Sequence, residues 1–281
     1  MSQPDITAVK SFLLMLQDIP CQHRTTVAGK GAFNEKKRPA GEERRRRMLM
    51  ILGVVLKQTS VNFFHIIGFT PSNSASAYRT ELAGRSFQST GGSLVIHRLN
   101  PYVPNTHGIN VRFFVAERER EPPVWWFGCS FIFTLFYGFT EDVVHWHRTY
   151  QLCQLFDDAL YPLNKKWCDD CFFIKHRKEA CAEGNSYFDS PIIVRRNALP
   201  WGERELQFQL YRCGRYVNFN LIWDRDTLFS PQSCRCTESV LISMLPIARW
   251  KYQYQPDLNS LEIALYRDFL PVKDCLAKEL T

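Results

Sequence analysis

The fold class is read best from NVRFFVA, Asn110–Ala116, where β-branched and aromatic residues fill a short run between turn-forming residues. Valine and phenylalanine favour strands, whereas glycine, proline and clustered charges mark turns. Gly108 precedes the run, and Pro122 and Pro123 separate it from a second apolar run, VWWF at Val124–Phe127. Both runs are predicted to be strands.

Two more strands are predicted, at Ser93–His97 and Arg215–Trp223, the second with the clearest alternation of apolar and polar side chains. Helical spacing of apolar residues predicts four helices. They are a helix from Ile6 capped by Ser2 or Asp5 and ended by Pro20, Glu141–Phe156, the stretch around Lys165–Lys178, and a C-terminal helix opened by the capping box Asn259-Ser260-Leu261-Glu262, with Leu261, Ala264 and Leu265 buried. These elements predict a single α+β domain over residues 1–281, built on an antiparallel sheet.

The composition is that of a globular protein, with 281 residues of which 45% are hydrophobic and 22% charged. Aromatic residues make up 14% of the chain, enough for a core or for stacking on a planar ligand. The net charge of +7 favours an anionic partner, which could be nucleic acid, a membrane surface or a polycarboxylate. The basic run Gly41–Arg47 is expected to be a solvated loop or a helix start.

Neither the N-terminus nor the uncharged stretch Pro122–Thr140 indicates a membrane protein. Asp5, Lys10 and Asp18 interrupt the N-terminal apolar pattern, so no signal peptide is expected. Pro122–Thr140 holds no charge but contains proline, glycine and many aromatic residues, and it is expected to form two buried strands. A cytoplasmic location follows as an expectation, with the ten cysteines as free thiols.

Four histidines lie in polar surroundings at the ends of predicted elements: His97, His107, His147 and His176. Imidazole exchanges protons near neutral pH and binds divalent metals, so each could be an acid, a base or a ligand. The alternative for each is a hydrogen-bonded structural histidine.

The cysteine spacing is a weaker metal signal. Cys168 and Cys171 form a C-x-x-C pair, but Cys234 and Cys236 are one residue too close to complete a zinc site. Buried core thiols are therefore favoured.

Arginine and aspartate supply candidates for anion binding. Arg112 lies on a predicted strand, from which a guanidinium can donate two hydrogen bonds to one carboxylate. Asp224 could be a base or the ion-pair partner of Arg225.

Ten short motifs, in order along the chain, resemble those of oxygen-dependent coproporphyrinogen III oxidases. They are ELAGRSF (81–87), NPYVP (100–104), NVRFF (110–114), WWFG (125–128), FYGF (136–139), HWHRT (145–149), KKWCD (165–169), GERE (202–205), GRYV (214–217) and ARW (248–250). The resemblance runs from about Asp5 to the C-terminus.

The resemblance implies a large, flat antiparallel sheet covered by helices on both faces, and a homodimer. It implies the oxidative decarboxylation of two propionates of coproporphyrinogen III to vinyl groups, giving protoporphyrinogen IX in haem biosynthesis. Molecular oxygen would be the co-substrate, with no organic cofactor, no nucleic-acid partner and no integral membrane segment.

Site residues follow from the same resemblance. His107 would be the proton donor, and Asp224 with Arg225 would handle the pyrrole N–H and a propionate. Substrate contacts would come from Ser93, Asn110, Val111, Arg112 and Arg235. A divalent cation would be held by His97, His107, His147 and His176.

The chain departs from the family pattern at Glu42, Ile132, Asn185 and Cys236, and it is shortened after Asp189. Two alternatives to a working oxidase therefore stay open. One is a catalytically impaired homologue that retains tetrapyrrole binding or dimerisation. The other is a metallohydrolase that uses histidine and cysteine ligands.

Overall fold

The structure, a computed structural model, describes most of the chain. The described residues are 4–27, 33–40, 43–51, 56–71, 79–155, 157–171, 173–174, 179–180, 183–184, 190–222 and 244–276.

A seven-stranded sheet forms the framework, in the order β1-β2-β3-β4-β5-β6-β9. Its strands are β1 (Phe33–Ala40), β2 (Glu43–Ile51), β3 (Leu56–Gly68), β4 (Ser86–Arg98), β5 (Asn105–Glu117), β6 (Val124–Thr134) and β9 (Glu183–Gly184). The short strands β7 (Phe173–Ile174) and β8 (Glu179–Ala180) form a separate pair. The predicted α+β class with an antiparallel sheet is confirmed. The coverage of both sheet faces by helices stays a prediction.

The helices are α1 (Ile6–Val27), α2 (Thr140–Gln151), α3 (Leu160–Cys171), α4 (Ser190–Asn197), α5 (Glu203–Ile222) and the short α6 (Leu261–Ala264). Single 3-10 turns lie at Thr80–Leu82 and Leu152–Leu155, and a π-helical turn, Leu265–Phe269, follows α6. None of the helices among the described residues is long and apolar enough to cross a membrane.

Three of the predicted strands are confirmed. Ser93–His97 lies in β4, Asn110–Ala116 in β5 and Val124–Phe127 in β6. The prediction of two buried strands in Pro122–Thr140 is wrong, because β6 is one strand followed by a turn into α2.

Aromatic pairs join these strands. The Phe114 ring stacks on Phe87 at 5.3 Å and on Trp126 at 4.4 Å between centroids. The Arg79 guanidinium lies 4.1 Å from the centre of the Trp126 ring. Cross-strand aromatic pairs of this kind stabilise a sheet and fix its register.

The predicted strand Arg215–Trp223 is wrong, since its described part belongs to α5. Phe208, Arg212, Tyr216 and Phe219 are buried at spacings of three and four residues, the period of a helix face. An alternation of apolar and polar residues over so few positions is compatible with the two-residue period of a strand and with the 3.6-residue period of a helix.

The expectation for the basic run is also wrong. Its described residues lie on β2, where Arg44 pairs with His65 of β3 on one side and with Pro39 of β1 on the other. Backbone pairing on both sides of the strand fixes this conformation regardless of side-chain charge.

Asp5 caps α1 as predicted, because its Oδ1 accepts the Ala8 N–H at 2.9 Å. The helix continues past Pro20, contrary to expectation. Leu13, Gln17 and Cys21 form one buried stripe along it, so packing on that face outweighs the hydrogen bond that proline removes. Gln17 Nε2 also donates to the Val61 carbonyl of β3 at 3.1 Å.

The later helices match their predictions in part. Glu141–Phe156 corresponds to α2 and the 3-10 turn after it, whereas the stretch predicted around Lys165–Lys178 is helical over α3, which begins and ends earlier. Ser260 caps α6 by accepting the Ile263 N–H at 3.2 Å, as predicted. Leu261 is exposed, contrary to expectation, and Glu262 is buried in its place.

The chain divides into two compact units. One comprises Met1–Ile96, Ile109–Ser130 and Asp224–Met244, and the other His97–Gly108, Phe131–Trp223 and Leu245–Thr281. Strands β4, β5 and β6 contribute residues to both. The single-domain prediction stays a prediction.

Candidate functional site

In the second unit, two of the predicted histidines lie side by side. His97 is near the end of β4 and His107 near the start of β5, and the two strands are neighbours in the sheet. Their ring centroids are 6.0 Å apart and the rings meet edge to face. Both side chains are buried.

The protonation of His97 follows from its neighbours. Asn105 Oδ1 accepts the Arg98 backbone N–H at 2.9 Å, which turns the Asn105 Nδ2 toward His97 Nδ1 at 3.1 Å. An amide nitrogen is a donor, so His97 Nδ1 is an acceptor and the ring proton lies on Nε2.

His107 is held by a residue from helix α5. The Tyr216 hydroxyl lies 3.0 Å from His107 Nδ1, and the two rings are 4.9 Å apart between centroids. His107 Nε2 is buried and has no hydrogen-bond partner among the described residues. Because polar atoms buried in proteins are normally hydrogen-bonded, this nitrogen is suited to receive a ligand atom.

Burial, together with the neighbouring His97 ring, lowers the pKa of His107 to about 3. Removing a charged imidazole from water disfavours it, and a second imidazole nearby adds to the effect. His107 is therefore neutral at pH 7, with one ring nitrogen as donor and the other as acceptor.

Helix α5 also reaches the end of β4. Gln209 Nε2 donates to the Arg98 carbonyl at 3.2 Å. Burial lowers the pKa of Arg98 to about 10, which still leaves its guanidinium charged at pH 7. One helix thus contacts both strands that carry the histidine pair.

His147 makes a different set of contacts. It is buried on α2, and its Nδ1 lies 3.2 Å from the Tyr161 hydroxyl of α3. Burial and the Lys165 cation lower the pKa of His147 to about 4, partly opposed by Asp274. His147 is therefore neutral at pH 7 and joins α2 to α3.

The predicted four-histidine metal site is not tested by the structure, because one of its four histidines lies outside the described residues. In the part of the chain that the structure describes, no three histidine, cysteine, aspartate or glutamate side chains converge on a position for a metal ion. His97 and His107 are two of the four predicted ligands, and His176 lies outside the described residues. The four-histidine site stays a prediction.

In the first unit, two predicted substrate residues lie on adjacent strands. Ser93 on β4 accepts a hydrogen bond from Asn62 Nδ2 at 3.4 Å. Arg112 on β5 places its guanidinium 5.7 Å from the centre of the Phe64 ring. Both Ser93 and Arg112 are half-buried.

Asn110 and Val111 precede Arg112 on β5, as predicted. The Val111 carbonyl closely approaches Gly91 of β4, where an added Cβ would lie 2.5 Å from that oxygen. Glycine is therefore required beside this segment.

Several predicted site residues lie outside the described residues: Asp224, Arg225, Arg235 and His176. The departures Glu42, Asn185 and Cys236 and the residue Asp189 also lie outside them. Ile132 lies on β6, where it pairs with Gly184 of β9. Cys168 is a buried thiol, as expected.

Sequence reasoning missed Tyr216, Asn105 and Gln209. Tyr216 was assigned to a strand, which hid its relation to Gln209 on the same helix. The spacing of seven residues between them, two helical turns, was the available signal. No sequence pattern indicates the role of Asn105, because that role depends on the pairing of β4 with β5.

A family model described as coproporphyrinogen III oxidase matches residues 8–190 and 182–275. The matched ranges contain the histidine pair and Tyr216.

Proposed function

Because the chain belongs to the coproporphyrinogen III oxidase family, we propose that it converts two propionates of coproporphyrinogen III to vinyl groups in an oxygen-dependent reaction. The product is protoporphyrinogen IX. The family match and the buried histidine pair support this proposal.

The reaction balances for each propionate separately. The side chain loses carbon dioxide and a hydride equivalent, and the electron pair of the broken carbon–carboxylate bond becomes the vinyl double bond. Molecular oxygen accepts the hydride equivalent, which is two electrons and a proton, and a second proton completes hydrogen peroxide. Two such steps use two oxygen molecules per substrate molecule.

The environment of His107 is the observation that carries the proposal. Its Nδ1 is held by the Tyr216 hydroxyl, while its buried Nε2 has no partner among the described residues. When Tyr216 donates to Nδ1, the ring proton of neutral His107 lies on Nε2. A donor fixed in this way stabilises negative charge as it develops on the reduced oxygen.

Tyr216 can also resupply the proton. As His107 Nε2 gives its proton to the peroxide anion, Nδ1 can take the hydroxyl proton of Tyr216. After the product leaves, a proton from solvent returns to Nε2 and Nδ1 gives its proton back to the Tyr216 phenolate, which restores the starting state. The neutral imidazole thus serves as a proton relay without first becoming a cation.

Positive charge supports the choice of substrate. The chain has a net charge of +7, and coproporphyrinogen carries four carboxylates. We assign Ser93, Asn110–Arg112 and Arg235 to substrate binding, and Asp224 with Arg225 to catalysis, where they would handle the pyrrole N–H and a propionate. A homodimer in the cytoplasm, with no organic cofactor, belongs to the same proposal.

A turnover assay tests the function. Coproporphyrinogen III is prepared without oxygen, mixed with the purified protein and exposed to air, and protoporphyrin fluorescence is read after chemical oxidation. We expect product with the wild type, and at least a hundredfold slower formation with His107→Gln, in line with the loss of a proton-transfer group.

Two outcomes would contradict the proposal. Tetrapyrrole binding by the wild type without product would favour the impaired homologue. An unchanged rate with His107→Gln would remove His107 from the mechanism. His145→Gln is the matched control, because His145 is exposed on α2, where its Nε2 lies 3.4 Å from the Thr149 hydroxyl.

A further inference from the structure

Helix α5 carries a stripe of buried polar side chains made of Gln209, Arg212 and Tyr216. At intervals of three and four residues, they fall within about 60° of the helix circumference. Gln209 contacts Arg98 at one end of the stripe and Tyr216 contacts His107 at the other. Arg212 lies between the two contacts.

Arg212 is only 4% exposed, yet its Nε and Nη1 have no hydrogen-bond partner among the described residues. Tyr266 is a described neighbour: its ring centre lies 5.5 Å from the guanidinium carbon, and the Arg212 cation partly opposes the rise that burial causes in the pKa of Tyr266. A guanidinium keeps its charge when buried, and a buried charge is normally paired. The position is therefore suited to an anion.

Arg196 is a buried arginine in the same unit whose role is structural. It is 6% exposed, and Asp142 accepts from its Nε at 2.7 Å and its Nη2 at 3.0 Å. Glu141 binds the same guanidinium. No described carboxylate does this for Arg212, so the two arginines differ in pairing and not in burial.

We propose that Arg212 binds a propionate carboxylate of the tetrapyrrole substrate. The carboxylate would lie about 6 Å along the helix axis from the level of Tyr216, which holds His107. A tetrapyrrole with carboxylates around its rim can reach both positions at once. This inference rests on the proposed function and adds Arg212 to the residues that bind the substrate.

The first test is the stability of the ligand-free protein. An arginine kept for a ligand adds no stability before the ligand binds, so Arg212→Met should leave Tm unchanged or raise it. Arg196→Met, the matched control, should lower Tm because buried Asp142 loses both hydrogen bonds from Arg196 and keeps only the one from Arg195 among those described. A fall in Tm with Arg212→Met as large as the fall with Arg196→Met, or a failure to fold, would overturn the proposal, since Arg212 would then be a structural ion-pair partner.

The second test is affinity for coproporphyrin III, the stable oxidised tetracarboxylate, measured by fluorescence titration. Arg212→Met should weaken binding about 10- to 100-fold, as expected for a lost charge-assisted hydrogen bond. Arg215→Met is the control, since Arg215 lies on the same helix but contacts Tyr211, and it should bind within twofold of wild type. Wild-type affinity in Arg212→Met would overturn the inference.

The two proposals can fail separately. If the wild type produces protoporphyrinogen while Arg212→Met keeps full affinity, only the role of Arg212 fails. If the wild type binds coproporphyrin III through Arg212 but forms no product, the proposed reaction fails and the binding site stands.

Discussion

The two nitrogens of His107 lie in different surroundings, and this difference organises the proposed chemistry. Nδ1 faces the Tyr216 hydroxyl, and Nε2 is buried without a described partner. A hydrogen bond at one ring nitrogen fixes which proton the other carries and how the ring is oriented. Tyr216 therefore orients His107 and is also the proton source of the proposed relay.

Tyr216→Phe should keep the ring contacts but lose the hydroxyl. We expect kcat to fall about tenfold with KM within twofold, because the substrate site is intact while His107 is no longer oriented. Stability should fall by about 1 to 3 kcal/mol, since His107 Nδ1 is left buried without this partner. Steady-state kinetics and urea unfolding measure the two effects.

Tyr211→Phe is the matched control. Tyr211 is buried on the same helix, and its hydroxyl accepts a hydrogen bond from Arg215 Nε at 3.1 Å. It should lose stability without losing kcat. An unchanged kcat in Tyr216→Phe would show that the hydroxyl serves packing alone.

Residue types alone predicted that histidine pairs and strand arginines could carry the site. The closeness of His97 and His107 could be inferred only through resemblance, because the pairing of β4 with β5 brings them together. Tyr216 could not be found while its segment was assigned to a strand.

Helix α5 is the element that completes the histidine pair, so its position matters. Gly214 packs against the segment after residue 244, where the Arg249 N–H donates to the Leu210 carbonyl at 2.9 Å. A Cβ at Gly214 would lie 2.4 Å from the Arg249 carbonyl oxygen, a backbone atom that cannot move without shifting the segment.

Gly214→Ala should therefore destabilise the protein, although alanine favours helices by about 1 kcal/mol over glycine. We expect a net loss of about 1 to 3 kcal/mol from overpacking, measured by urea unfolding. Gly128→Ala is the control, because an added Cβ there meets nothing within 4 Å, and it should be close to neutral. Equal stability of the two variants would contradict this expectation. It would mean that the segment around Arg249 moves away from the added methyl group without lowering the free energy of unfolding.

Glu262 joins the start of α5 to α6. Its Oε1 accepts from the Tyr137 hydroxyl at 2.9 Å, and Arg204 donates to both of its carboxylate oxygens. Burial alone would raise the pKa of Glu262, but the hydrogen bonds from Arg204, the backbone and Tyr137 bring it below the usual value. A lowered folded-state pKa means that the carboxylate stabilises the fold above its ordinary titration range.

Glu262→Gln should consequently be less stable than wild type at pH 7, by about 1 to 3 kcal/mol. The difference should shrink as the pH falls below 4.5, the ordinary carboxyl value, because the unfolded wild type then binds a proton that the folded carboxylate, with its lowered pKa, does not. Urea unfolding at pH 7 and pH 4 measures it, with exposed Glu119→Gln as control. A difference that stays constant with pH would contradict the assigned role of the charge.

Among the elements, the strands flanking NVRFFVA were predictable because their β-branched and aromatic content is unambiguous. The segment RYVNFNLIW was not, because an alternation over nine residues also places Tyr216 and Phe219 on one helix face. The basic run was misread because charge predicts exposure and not backbone pairing. Pro20 was misread because the buried stripe of α1 continues beyond it.

For the whole molecule, the sequence predicted the α+β class and the family, and both are confirmed. The ten motifs identify the family because a chance match would have to reproduce many residues in the same order along the chain. The joining of β4 and β5 by α5 could not be predicted, since it depends on contacts between residues about 110 apart in sequence, such as Gln209 with Arg98.

A crystal structure of the protein with coproporphyrin III tests whether this chemistry is centred on His107. We predict that the ligand places an atom within hydrogen-bond distance of His107 Nε2 while Tyr216 keeps its contact with Nδ1. A porphyrin bound elsewhere, with His107 Nε2 covered by another part of the chain, would contradict the account.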